Sequence, residues 1–241
     1  MSENYDLRRQ GRLLRKLDKA LARLRRSLVA RYGEARAGTL VDAARDEYRA
    51  LLPQIPFIGE GNPFLIFLLP TSRYLAIHRA LRREGRPVEE TGQLIYELNQ
   101  AELRALPVLI RRMIGWLWFT RWFGRRLERR AAESQVRRHP GGFVFQYVQG
   151  DGERFDFGID YRECANVKFL RDQGAPELTP FVCAVDKVAS EQLGWGLTRT
   201  STLAAGCEHC DFRFKKGGVT RVEVPESLRS VAGPPSSPVE S

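Results

Sequence analysis

Cysteine, histidine and methionine are scarce, with 4, 3 and 2 residues in a chain of 241. Long apolar runs are missing as well. The most apolar stretches, Pro63 to Pro70 and Met113 to Phe123, fall well short of the ~20 residues that cross a bilayer. The opening residues Met-Ser-Glu-Asn-Tyr-Asp have no apolar core of the signal-peptide kind, so the expected compartment is the cytoplasm. There the four thiols stay reduced, and they are read as core residues, metal ligands or nucleophiles instead of disulfides. No Walker loop, Gly-x-Gly-x-x-Gly fingerprint or Ser-His-Asp arrangement is present, and no internal repeat is visible.

Positive charge is plentiful. Lys and Arg number 39 against 29 Asp and Glu, a formal net charge of +10, with the excess in the N-terminal half and around Arg111 to Arg138. Such a balance suits an anionic surface. No aromatic or glycine signature of a nucleic-acid module accompanies it, so nucleic acid is not an expected partner, while peripheral membrane contact stays open. With 43% hydrophobic residues the chain can bury a sizeable core.

Leu7 to Tyr32 has leucines at three- and four-residue spacing with arginines opposite, which predicts one amphipathic helix. Further helices are expected from Thr39 (as N-cap, after a break at Gly38) to Leu52, from Pro70 to Gly85, from Val88 to Ala105, and from Pro107 to Arg137. The last is dense in aromatics. Trp116, Trp118, Phe119, Trp122 and Phe123 can either anchor at a membrane interface or pack in a core or over a pocket.

At His139-Pro140-Gly141-Gly142 the pattern changes. Phe143 to Gln149 and Arg154 to Asp160 alternate with period two around Gly150-Asp151-Gly152-Glu153, a β-hairpin signal with Phe155, Phe157 and Ile159 on one face and Asp156 and Asp160 on the other. Glu163 to Gln173 and Glu177 to Gln192 read as helices, Trp195 to Leu203 and Cys210 to Phe214 as strands. The expected fold is therefore α+β: a helical, basic, amphipathic region at 1–138, packed on a small antiparallel sheet with two helices at 139–217, and a disordered Pro/Ser/Gly tail at 218–241.

The candidate chemistry lies between Phe155 and Phe214, which holds all four cysteines. On the strand through Arg199, the neighbours Trp195, Leu197 and Leu203 make one face apolar, so Arg199 is an inward charge. It needs a carboxylate, either an internal one or a ligand's. Cys183 and Asp186 stand three residues apart on one helix face. Cys207-Glu208-His209-Cys210 also invites a zinc reading with Cys164 and Cys183, although paired short knuckles are absent and no cofactor is expected.

Tyr161-Arg-Glu-Cys164, the Cys183-x-x-Asp186 pair, Arg199-Thr-Ser-Thr-Leu-Ala-Ala-Gly206 and Cys210-Asp-Phe-Arg-Phe214, in that order, resemble the L-2-amino-thiazoline-4-carboxylic acid hydrolase family. The likeness covers Phe143 to Lys216. Its end is also similar to vinyl-reductase-type ligand-binding domains, which favours a small-molecule pocket. The family resemblance implies a hydrolase of cysteine metabolism that opens a small anionic cyclic isothiourea to N-carbamoyl-L-cysteine. Such chemistry needs an acid/base group, stabilisation of the tetrahedral adduct and a cation for the substrate carboxylate. The matched positions offer Cys164, Cys183 or Cys210 as nucleophile, Asp186 or Asp211 as acid/base and Arg199 as the carboxylate clamp, with Thr200 and Asp160 as further substrate-binding candidates. Strand alternation turns Asp211 and Arg213 away from Cys210, which favours Cys183, Asp186, Arg199 and Cys210. The rival readings are a small-molecule-binding domain without turnover and a protein held at a membrane surface.

Overall fold

The structure, a computed structural model, describes residues 10–233. The chain folds as an α+β protein in which the helical N-terminal half lies against a five-stranded sheet and its two helices. One apolar core runs unbroken from Leu13 to Ala232 and crosses the compositional boundary at His139.

Helix α1 (Gln10–Tyr32) buries Leu13, Leu17, Leu21, Leu24 and Leu28, the stripe its spacing predicts, with Leu14 only partly buried. The expected start at Leu7 lies outside the described residues. Helix α2 (Glu34–Leu51) does not break at Gly38. The break is at Gly33, whose φ of 79° belongs to the region glycine enters without strain, while Gly38 and Thr39 continue the helix. Helix α3 (Leu65–Arg83) starts a turn earlier than expected and carries Pro70 inside it. Thr71 and Ser72 hydroxyls donate to the carbonyls of Phe67 and Leu69 at 3.0 and 2.8 Å, while the Ile66 carbonyl goes without the N–H that a residue other than proline would supply from position 70. Helix α4 (Val88–Arg104) follows.

The single long helix expected over Pro107 to Arg137 is two: α5 (Val108–Trp118) and α6 (Arg121–Gln135). Thr120 separates them because its hydroxyl accepts the Phe123 N–H at 3.3 Å, an N-cap in mid-pattern. This corner also divides the aromatic cluster. Trp118 stacks on Trp195 with centroids 4.3 Å apart, and Phe119 and Phe123 pack on Phe157, whereas Trp116 and Trp122 face solvent.

Strands β1 (Val144–Gln149) and β2 (Phe157–Glu163) form the expected hairpin. Asp151 closes it by accepting the N–H groups of Glu153 and Arg154 at 3.0 and 2.8 Å. Phe155 falls outside β2 and lies under the Arg213 guanidinium instead of beside Phe157. Next come α7 (Ala165–Asp172), α8 (Thr179–Leu193), β3 (Leu197–Arg199) and β4 (Cys210–Phe214). The strand expected to reach Leu203 stops at Arg199. There Asp211 captures the amides of Thr200 and Ser201, at 2.8 and 2.6 Å, and Thr202 caps a 3₁₀ turn.

The sheet order is β1-β2-β4-β3-β5. Its first three pairings are antiparallel, but β5 (Arg221–Val222) joins β3 in parallel, so the sheet is mixed. That strand and a closing turn of helix, α9 (Arg229–Ala232), lie in the stretch read as a disordered tail. Val222 and Leu228 are buried, and the Lys187 ammonium donates to the Ala232 carbonyl at 2.9 Å, so residues 218–233 are tied to α8 and β3. Their composition hid this because the ordering contacts are all long-range.

Candidate functional site

The pairing register decides which side chains of the sheet meet. Tyr161 lies opposite Cys210, Ile159 opposite Phe212 and Phe157 opposite Phe214. Period-two alternation puts these six on one face, together with Leu197 and Arg199 of β3. Helices α7 and α8 bring their side chains to the same cluster: Cys164 is the N-cap residue of α7, and Cys183 and Asp186 share one face of α8. Tyr161, Cys164, Cys183, Asp186 and Phe212 are each half-buried.

Arg199 is the organising charge. It is buried, and its Nη1 donates to Asp186 Oδ2 at 2.5 Å and to the Cys183 carbonyl at 3.3 Å, with Nη2 on the same carbonyl at 3.3 Å. Its guanidinium also lies over the Phe212 ring, 5.3 Å from the centroid. The carboxylate that an inward arginine needs is thus an internal one, Asp186 of α8. Three of the five guanidinium N–H donors are engaged, and two remain.

Burial sets the protonation of the cluster. Desolvation lifts the Asp186 carboxyl above its ordinary value although Arg199 opposes it. The Cys183 thiol rises for the same first reason, again against Arg199, and Cys210 rises although the Leu203 N–H (3.2 Å from Sγ) and Arg199 pull it down. Cys164 is pushed up to about 12 by burial, with the Val167 and Asn166 amides at the start of α7 working the other way. Tyr161 lies well above the usual phenol range through burial, and its electrostatic neighbours are Cys164, Asp186 and Cys210. Three thiols, a carboxyl and a phenol therefore share one desolvated space.

Cys164, Cys183, Asp186, Arg199 and Cys210, all named from sequence, are brought together. Asp160 and Thr200 are not. Asp160 pairs with Arg213 at 2.6 Å and Thr200 donates its hydroxyl to Asp211 at 2.5 Å, both on the opposite face of the sheet, where Asp160 and Asp211 are cross-strand partners. Asp211 is no acid/base candidate either. Burial works against its charge, but the donors of Thr200 and Ser201 outweigh it and hold the carboxylate below its ordinary value. Cys207 is exposed and stands apart. The zinc set Cys164, Cys183, Cys207 and Cys210 is therefore not assembled, and among the described residues no group of three or more His, Cys, Asp or Glu is placed to hold a metal ion.

Tyr161 is the site residue that the sequence reading passed over. Its signal was present, since it continues the Phe157 and Ile159 alternation and opens the block that ends in Cys164. Around its ring stand Phe64, Phe143, Phe145 and Phe212, with centroids 5.2 to 6.2 Å away. Phe64, from the loop before α3, could not be assigned there by any local pattern. Nearby, Asn166 Oδ1 is buried with no hydrogen-bond partner.

Comparison with known proteins gives one family. The model of the L-2-amino-thiazoline-4-carboxylic acid hydrolase family matches residues 119–214. No curated protein and no solved structure matches the chain. The matched segment starts well before the blocks that carry the resemblance, taking in all of α6, and it ends with β4. Every member of the thiol–carboxyl–arginine cluster lies inside it, and over residues 119–214, about two fifths of the chain, the protein is similar to the L-2-amino-thiazoline-4-carboxylic acid hydrolase family.

Proposed function

We propose that the protein is a hydrolase that opens a small anionic cyclic amidine or isothiourea, such as L-2-amino-thiazoline-4-carboxylate, giving N-carbamoyl-L-cysteine from that substrate. The observation that carries this reading is that Cys164, Cys183, Asp186, Arg199 and Cys210, scattered over α7, α8, β3 and β4, meet in one cluster within the family-matched segment.

In the ring opening, the oxygen of water bonds to the carbon between ring nitrogen and sulfur, and a proton goes to the ring nitrogen. The carbon–sulfur bond then breaks, its electron pair stays on sulfur, and the second proton of the water ends there as a free thiol. Both proton moves fall to Asp186. Its raised pKa makes it a better base than an exposed carboxylate and a competent acid on the return step. Arg199 positions that carboxylate, and its two unused donors are available to the substrate carboxylate. Raised thiol pKa values leave the cysteines neutral, suited to lining the site for a sulfur-containing ring unless Asp186 deprotonates one of them.

Incubation with the thiazoline acid should release thiol, and Asp186→Asn should lower kcat/KM by about 10²- to 10⁴-fold, the usual weight of a proton-transfer group. Because the base must be ionised, activity should fall as pH drops through the raised Asp186 value. Absence of thiol release by the wild type removes the substrate assignment. The neutral thiols and the Asp186–Arg199 pairing also suit a binding domain without turnover. That reading predicts ligand bound but unchanged after prolonged incubation, with Asp186→Asn binding as well as wild type.

A further inference from the structure

Seven of the nine large apolar side chains exposed among the described residues lie between Val108 and Trp122, on α5 and the start of α6. Leu109 is 77% exposed, Trp116 60% and Trp122 61%. A contiguous patch of this kind marks an interaction surface, whereas apolar residues scattered singly do not. The helix cannot turn to hide it. Gly115 on its inner face lies so close to the C-terminus of α8 that an added Cβ would sit 2.0 Å from the Leu193 carbonyl oxygen. Arg111 on the same inner face donates to the Gln192 side chain. Ile114 and Trp118 pack inward beside them. With that face locked on α8, Leu109, Met113, Trp116 and Leu117 are held outward.

The charge around the patch selects its partner. From Leu103 to Leu127 there is no acidic residue, and there are six arginines, Arg104, Arg111, Arg112, Arg121, Arg125 and Arg126. A second copy docked by the same patch would bring these charges against their equals. Arg121 and Arg125 also border an open recess of about 620 Å³, whose lining includes Lys215 and Lys216 as well as Glu128 and Asp156, and Arg126 lies over the Trp122 ring at 5.6 Å. Exposed tryptophans beside arginines on an apolar helix are the composition of segments lying in the lipid headgroup zone. No helix among the described residues is long and apolar enough to cross a membrane.

We infer that α5 and the start of α6 form a membrane-surface anchor that takes a bilayer carrying anionic headgroups. The apolar face enters the boundary between headgroups and acyl chains, and the flanking arginines bind lipid phosphates. The anchor is distinct from the thiol–carboxyl cluster, which lies between α8 and the sheet face that carries Arg199 and Cys210.

Flotation of the full chain with vesicles tests this, using phosphatidylcholine alone and phosphatidylcholine mixed with phosphatidylglycerol. The protein should float with the anionic vesicles at low salt, with a blue shift of tryptophan emission, and much less in about 0.5 M salt. Replacing Leu109, Met113 and Trp116 by Ser should abolish flotation. Arg112→Gln with Arg121→Gln should weaken it roughly thirtyfold, about fivefold per arginine. Circular dichroism and release of thiol from the thiazoline acid report separately on whether each variant is folded. No flotation of wild type with anionic vesicles at low salt overturns the inference, as does unchanged flotation of the triple serine variant. A concentration-dependent dimer that ignores vesicles would give the patch to a second copy.

Discussion

At the scale of single residues, the four cysteines separate by environment. Cys207 is exposed, whereas Cys164, Cys183 and Cys210 carry thiols whose pKa burial has raised. Under native conditions near pH 8, Cys207 should react with an aromatic disulfide reagent first and the other three much more slowly, which a Cys207→Ser variant and mass mapping would check. The linkage has a definite sign. A thiol whose folded pKa exceeds its unfolded value adds stability below the ordinary thiol range, and this is lost as pH climbs toward about 12 for Cys164. Rapid reaction of all three buried thiols would contradict their burial.

Alternation favours Cys183, Asp186, Arg199 and Cys210 over Asp211, and the register agrees residue by residue. Thr200 and Asp160, the other substrate-binding candidates, lie on the far face, held by the Asp211 and Arg213 contacts. The position of Asp160 on the polar side of its hairpin is legible in the pattern. The loss of strand after Arg199 was not, because it depends on Asp211 reaching across to Thr200 and Ser201 from β4.

At the scale of elements, glycine positions set how closely helices approach. Gly92 of α4 lies beneath Phe181 of α8, and an added Cβ would fall 2.0 Å from Phe181 Cδ1. Since α8 carries Cys183 and Asp186, this contact fixes the depth of the site. Gly92→Ala should cost about 1 to 3 kcal/mol as an overpacked contact. Because α8 must shift, activity should fall by more than the unfolded fraction explains. Thermal denaturation and kinetics on one preparation would measure both. A stability equal to wild type would show that Phe181 has room to move. The helix boundaries that differ from expectation at Gly33, Pro70 and Thr120 do not conflict with the apolar periodicity. Gly33 takes a positive φ, Pro70 is accommodated inside α3, and Thr120 caps α6, each of which depends on which neighbouring groups are free.

At the scale of the whole molecule, His78 joins the two halves. It is buried on α3, with Nδ1 3.2 Å from Thr91 Oγ1 of α4 and Nε2 3.2 Å from Glu177 Oε1 beside α8. Burial holds its pKa below the ordinary value; Glu177 pulls it up, and Arg82 and Arg79 push it down. The fold thus prefers the neutral imidazole. The associated stability is complete above the unfolded histidine range near pH 6.5 and is lost as pH falls from there toward the depressed folded value. Melting temperature should drop between pH 7.5 and 5 more steeply for wild type than for His78→Asn, and parallel curves would assign the acid sensitivity elsewhere.

From the residues alone came the amphipathic helices, the hairpin, the two helices after it, and the block order over Phe143 to Lys216 that resembles the thiazoline carboxylate hydrolases. These are local or periodic properties, set by side-chain spacing over a few turns. The same residues named five members of the cluster but left open whether Arg199 faced an internal carboxylate or a ligand's. Only the tertiary structure decided that the partner is Asp186, that the Phe64 ring packs on Tyr161 beside the thiols' face of the sheet, and that residues 218–233 complete the sheet. It also decided that Trp118 turns inward while Trp116 and Trp122 remain outside. Each is a contact between segments distant in the chain, and its energy depends on desolvation and register that no local window contains.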